Sequence, residues 1–324
     1  MQIVLLRVGI DTGSGGIHGP LFADGGFEFI PIPDGFGIDS RTYGNTVGRR
    51  GRPFVEYFPA RRRSAVAPRS MHVDPEFETF TYGDPTAPKR GLRGLRPGDL
   101  LVFYAGLKGW DFEREAALYI VGFFEVARAG LAPEFSPREI EGLFAANFHV
   151  RHPFVFERQR ERLVLVKGTP ASRLLKKAVL LSETGADTTG RPLQVISRPM
   201  REVFGDFNGR VSLQRSPPRW VPAEYVDRAE RFIRSLKSEF TRRVVFPMSL
   251  PAIRQEISFY VIWYNIFRPH QGLDGQTPFD MYSGEIQRQC HYETRGPTGD
   301  NIILNVTFLE HKKELPIIKL QKAA

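Results

Sequence analysis

Cysteine is all but missing from this chain. Cys290 is the single one among 324 residues, which excludes an internal disulfide and a cysteine metal cluster and points to a reducing, cytoplasmic compartment. Long apolar runs are missing too. Nothing approaches the ~20 residues needed to span a bilayer, so no membrane role is expected. The apolar opening Ile3 to Ile10 is short and carries Arg7, so it does not read as a signal peptide. Acid is in deficit: 36 Asp and Glu stand against 45 Lys and Arg, a formal net charge of +9. A sequence pI of about 9.7 favours polyanionic partners, DNA or nucleotides, through counterion release. What is present is the composition of a globular protein, 41% hydrophobic and 25% charged, long enough for two domains.

Ile3 to Ile10 is β-branched and mostly apolar, a buried strand. It runs into D-T-G-S-G-G-I-H-G-P-L-F-A-D-G-G, where glycine is dense enough to turn the backbone repeatedly or to let it approach a ligand closely. Such a loop can cradle phosphate with its amides, although the G-K-S/T of a P-loop is missing. His18, with Asp11 and Asp24, has the residue types of an acid–base or metal cluster; the competing reading has His18 capping a turn. Phe27 to Ile32 reads as a second strand ended by Pro31 and Pro33. From Asp34 to Arg69 the chain is loop-rich and basic. Arg49, Arg50, Arg52, Arg61, Arg62 and Arg63, interleaved with Tyr43, Phe54, Tyr57 and Phe58, suit phosphate contact with base stacking, or a plain solvated charge run.

R-P-G-D-L-L-V-F-Y-A-G-L predicts a turn and a buried strand, and A-L-Y-I-V-G-F-F-E-V a second one. This hairpin resembles those of barrel modules that bind modified bases, the pseudouridine-synthase-associated and YTH-like group. Trp110, in the connection, is then a stacking residue at a pocket mouth or an aromatic covering its loop. Ser136, Pro137 and Glu139 predict a helix start. His149 and His152 lie three apart, but Pro153 follows and no third ligand is evident, so both read as structural and no metal is expected. Arg162 to Gly168 predicts a strand, and A-S-R-L-L-K-K-A-V-L-L-S an amphipathic helix. Arg215, Arg219 and Trp220, around two prolines, form a stiff basic and aromatic segment suited to nucleic acid. That segment, taken with the opening I-V-L-L-R-V-G-I-D-T-G-S-G-G-I-H-G-P-L-F-A-D-G-G-F-E-F-I-P-I-P-D, looks like the nucleotide modification associated domain, third type. The resemblance spans residues 1 to about 230 and implies work beside systems that modify DNA bases.

Beyond it, Tyr225, Ala229, Phe232, Leu236 and Phe240 recur at spacings of three and four, which predicts one apolar helix face. A-E-R-F-I-R-S-L-K, followed by W-Y-N-I-F-R-P-H-Q-G-L-D-G-Q-T-P-F-D-M-Y, resembles the C-terminal end of integrase-type transposases, which cut and join DNA with an Asp-Asp-Glu triad on a ribonuclease-H-like fold. The resemblance implies that Glu230 corresponds to the third carboxylate. Two-metal phosphoryl transfer needs several carboxylates converging on Mg²⁺. Asp206, in F-G-D-F-N-G, is the nearest companion, but the spacing is too short and the motif carries an extra residue, so the triad reads as incomplete. Leu250 to Phe267 predicts a second helix, and N-I-I-L-N-V-T-F-L with L-P-I-I-K-L a β-hairpin.

The expectation is therefore an α+β chimera. Residues 1–228 form a mixed domain with a β-rich core. Residues 229–324 form a helical segment and a C-terminal β-hairpin from a truncated integrase without its catalytic sheet. The expected function is a DNA- or nucleotide-binding accessory protein linked to base modification, with an inactive integrase remnant. The alternative is a metal-dependent enzyme, nuclease, strand transferase or base-modifying, using Mg²⁺ with Asp11, His18 and Asp24 or with Glu230. The residues name no protein partner.

Overall fold

In chain order the elements are β1 (Ile3–Arg7), β2 (Gly19–Leu21), β3 (Ile32–Pro33), α1 (Ala60–Val66), β4 (Met71–His72), β5 (Thr81–Asp84), β6 (Leu100–Gly109) and β7 (Ala117–Leu131). There follow α2 (Pro137–Phe144), α3 (Phe148–Arg151), α4 (Pro153–Gln159), β8 (Val164–Gly168), β9 (Arg173–Leu180), β10 (Ser182–Ala186), β11 (Pro192–Ile196), α5 (Arg198–Phe204), β12 (Arg219–Trp220) and α6 (Val226–Ser238). The computed structural model describes residues 1–186, 189–213, 217–238, 264, 276–277, 280–281 and the backbone of three further strands, β13 (Cys290–Arg295), β14 (Asn301–Phe308) and β15 (Pro316–Lys322). The chain divides into two units, residues 1–243 and 244–324.

The first unit is mixed α/β around one eight-stranded sheet in the order β12-β1-β6-β7-β8-β5, with β2 also on β6 and β9 also on β7. Leu100 to Leu107 of β6 are buried at every position, as expected of a strand covered on both faces. β7 is long enough to serve two neighbours. Its first half pairs with β6 and β9, and its second half pairs with β8 after a register shift between Val126 and Arg128. One edge of β6 is likewise shared. Parallel β1 holds Leu100 to Tyr104, parallel β2 holds Leu107 to Gly109, and the chain between β1 and β2 has to leave the sheet at the gap.

Two predicted elements differ, and a third differs only in its buried face. Phe27 to Ile32 makes only a bridge to Leu21 and the two-residue β3, because Pro31 and Pro33 cannot donate to a ladder. The segment after Ala171 is strand β9 rather than a helix. Pairing with β7 buries Leu175, Ala178 and Val179, and that tertiary gain overrides the local pattern. α6 forms as predicted, but among its described side chains Ala229, Ile233 and Leu236 are the most buried, while Phe232 meets Phe204 of α5 edge-on at 5.7 Å. Phe240 and the expected helix over 250–267, Tyr264 excepted, lie outside the described residues. In the second unit β13, β14 and β15 form one antiparallel sheet. Thr277 N donates to Asp280 Oδ2 at 3.0 Å, and Asp280 N donates to Thr277 Oγ1 at 3.1 Å.

The basic stretch from Asp34 to Arg69 is a small core of its own. Tyr43, Phe54, Tyr57 and Phe58 pack with Ile10, Phe22, Ile30, Val66 and Met71. All four aromatics are buried, so base stacking on them is overturned: a ring worth ~1.5–3 kcal/mol on burial stays inside. Trp110 is 43% exposed and meets Tyr57 at 5.1 Å, which makes it a cover for this cluster.

Candidate functional site

The gap on β6 organises the site. Val8 N still donates to Tyr104 O, then Ile10 N turns to Ile30 O and the glycine-rich loop begins. Asp11 Oδ1 accepts from Gly13 N and Ser14 N at 2.8 and 2.7 Å and closes the loop on itself. Its Oδ2 pairs with Arg7 Nη2 at 2.9 Å. Gly15 sits at φ +112° with Ile10 directly beneath it, a conformation and a clearance that suit only glycine. On the outer side Arg62 donates to Gly15 O at 3.1 Å and Gly16 O at 3.3 Å, so α1 holds the loop from behind.

Arg7, Asp11, Thr12, Gly13 and His18 line one wall of a cleft of about 550 Å³, with Ala117 and Leu118 of β7 and Pro192 to Gln194 of β11 opposite. His18 lies over Gly106, one of the two β6 residues left unpaired between β1 and β2. Burial holds its pKa below the ordinary histidine value; Arg7 and Lys108 push the same way and Asp11 opposes them. The neutral imidazole is thereby favoured, and its free ring nitrogen can accept a proton or a hydrogen bond. Gln194 is held by Ser182 Oγ, which donates to its Oε1 at 2.6 Å while Leu118 N donates to that same Oγ at 2.8 Å. The cleft stands at the carboxyl end of β1, one of two parallel strands on β6, where ligands of open sheets with parallel strands are commonly bound.

Two of the three predicted acid–base residues, Asp11 and His18, thus share this cleft. Asp24 is elsewhere: it forms a 2.6 Å ion pair with Arg50, whose hydrogen bond lowers its pKa. The predicted arginines mostly turn to the protein. Arg49 donates to Leu175 O at 2.6 Å, Arg52 pairs with Glu56 at 3.2 Å, and Arg63 donates to Phe58 O and Glu56 O. Arg61 is exposed. Arg219 is buried and donates to Ser212 O at 2.7 Å, Trp220 is half-buried on β12, and Arg215 lies outside the described residues. Glu230 pairs with Arg234 one helical turn on, at 2.6 Å, and Asp206 is exposed. Among the described residues Glu230 belongs to no group of three His, Cys, Asp or Glu side chains close enough to share an ion. Arg7 and Gln194 escaped the sequence reading. Arg7 entered the sequence reading only as a charge that argues against a signal peptide, and nothing in the residues around Gln194 marks it.

A second cluster was also missed. His149 does not act with His152, which instead meets Asp39 at 3.2 Å. His149 faces His72 and Asp74, its Nε2 lying 3.1 Å from His72 Nε2 and 3.5 Å from Asp74 Oδ2. Burial lifts Asp74 to about 6 and opposes charge on His149, whose hydrogen bond to Asp74 nevertheless carries it above the ordinary value. His72 is driven down to about 3 by burial and by His149.

The family model described as Nucleotide modification associated domain 3 matches residues 2–236, and the one described as Integrase core domain matches residues 227–278. The two overlap within α6. Neither a curated protein nor a solved structure matches the chain. No helix among the described residues is long and apolar enough to cross a membrane.

Proposed function

Since the chain belongs to the nucleotide modification associated domain 3 family over residues 2–236 and carries an integrase-core segment after it, we propose that it is a DNA- or nucleotide-binding accessory protein of DNA base-modification systems. The cleft between the glycine-rich loop and β11 is its binding site. The observation that carries this is the convergence of Arg7, His18 and Gln194 on one cavity of nucleotide size beside loop amides. Arg7 supplies the cation for a phosphate, the loop amides add donors, His18 offers an uncharged imidazole to a base edge or phosphate, and Gln194 reads polar groups opposite. On this reading the join with the integrase part falls inside α6, at residues 228 and 229, and that part binds DNA without catalysing strand transfer.

Calorimetric titration with nucleoside monophosphates and with short single- and double-stranded DNA tests the site. Arg7→Ala and His18→Ala should each weaken binding by about tenfold or more, the loss expected for a hydrogen bond to a charged group. Arg138→Ala, on exposed α2, should leave it unchanged. Equal affinities across all four proteins would remove the cleft from consideration.

A further inference from the structure

We propose that His72, Asp74 and His149 bind one divalent transition-metal ion, zinc or a similar cation, at a site built between the β4–β5 segment and α3. The proposal is independent of the nucleotide cleft, which shares none of these residues. It rests on how the donors are aimed. One ligand atom from each of the three residues falls within 4.8 Å of the others. The two imidazole Nε2 atoms are 3.1 Å apart, and Asp74 Oδ2 is 3.5 Å from the second. Donors ~2.0–2.1 Å from a tetrahedral zinc stand about 3.3 Å from one another, so both separations are those of neighbouring ligands.

The surrounding shell is that of a ligand set. Gln159 Oε1 lies 2.6 Å from His149 Nδ1 and so takes a proton from that nitrogen, which makes Nε2, the atom facing His72 and Asp74, the one that would bind an ion in place of a proton. Asp74 is oriented by Gly83 N at 2.9 Å and by Asn147 Nδ2 at 3.4 Å. Asn147 also caps α3, its Oδ1 accepting from His149 N at 3.1 Å. Gly83 gives the clearance: a Cβ there would come within 2.8 Å of Asn147 Oδ1 and 2.9 Å of the His149 ring. Phe148 packs on His72 at 4.0 Å and fixes the plane of the other imidazole. Two neutral imidazoles and one carboxylate leave a single positive charge with a divalent ion, and they suit zinc, ferrous or manganous ions rather than magnesium. Among the described residues the protein supplies three ligands, so a further coordination position remains for water or substrate.

The test uses the full chain, treated with chelator and then equilibrated with Zn²⁺ or Co²⁺. One equivalent per chain should be retained at micromolar zinc, and X-ray absorption of the loaded protein should show two imidazoles in the first shell. His72→Ala and Asp74→Asn should lower affinity at least tenfold, whereas His152→Ala should bind like the unaltered chain. Failure to retain zinc, fewer than two imidazoles, or undiminished binding by His72→Ala and Asp74→Asn would overturn the assignment. The absorption measurement needs no variant, so it decides the matter even if a substituted chain does not fold.

Discussion

At Asp39 several donors converge on one fully buried carboxylate. Arg41 reaches it through Nε at 3.1 Å and Nη2 at 3.0 Å, its backbone N adds a third contact at 2.9 Å, and His152 stands at 3.2 Å. Burial alone would raise its pKa, yet the hydrogen bonds from Arg41 and His152 outweigh burial and hold the carboxyl well below its ordinary value. A depressed carboxylate stabilises the fold above the unfolded pKa of about 4 and loses that contribution as pH falls towards the folded value. Urea midpoints measured from pH 5 downwards should therefore fall for the unaltered chain, and Asp39→Asn should show a lower midpoint at pH 7 with a shallower acid slope. Single residues were also where the sequence was least legible. His72 and His149 are separated by 77 positions, and no local pattern records that their rings touch. The aromatics of residues 43–58 were visible as a group, but their side was not: alternation with arginine looks the same whether the rings face solvent or a core.

Among the elements, α2 was read most directly because everything that starts it is local. Ser136 Oγ accepts from Glu139 N at 3.3 Å, and Glu139 Oε2 accepts from Ser136 N at 2.9 Å, a reciprocal cap with Pro137 between them. Ser136→Ala should cost about 1 kcal/mol, read as a shift in thermal or denaturant midpoint. β1, β6 and β7 were equally legible from unbroken apolar runs. β9 was not, since Leu174, Leu175, Ala178 and Val179 satisfy a helical spacing as well as they satisfy the edge of β7. Short apolar runs carry that ambiguity in any chain. The candidate cleft was half legible for the same reason: its loop could be seen, but the opposing β11 arrives only through sheet topology.

On the scale of the whole molecule, the two-part organisation was legible because each part carries a long motif, and the family matches reproduce that arrangement. What the motif left open is whether Glu230 still works. Its carboxylate is paired with Arg234 on the same helix and belongs to no trio of His, Cys, Asp or Glu side chains among the described residues that could share an ion. In assays of Mg²⁺- or Mn²⁺-dependent DNA cutting and joining, Glu230→Gln should behave as the unaltered chain does, and its stability should change by no more than about 0.5 kcal/mol, the usual worth of such an exposed pair. A cutting activity abolished by that one change would make the integrase part an enzyme after all.

The same helix sets a condition on what can be joined to such a chain. Ala229, Ile233 and Leu236, the buried stripe of α6, belong both to the last stretch of one family match and to the first stretch of the other. Here that stripe is packed within the first unit. A catalytic sheet seated on this same stripe and the first unit as it now packs there would exclude one another, so adding such a sheet to α6 should evict the domain now resting on it.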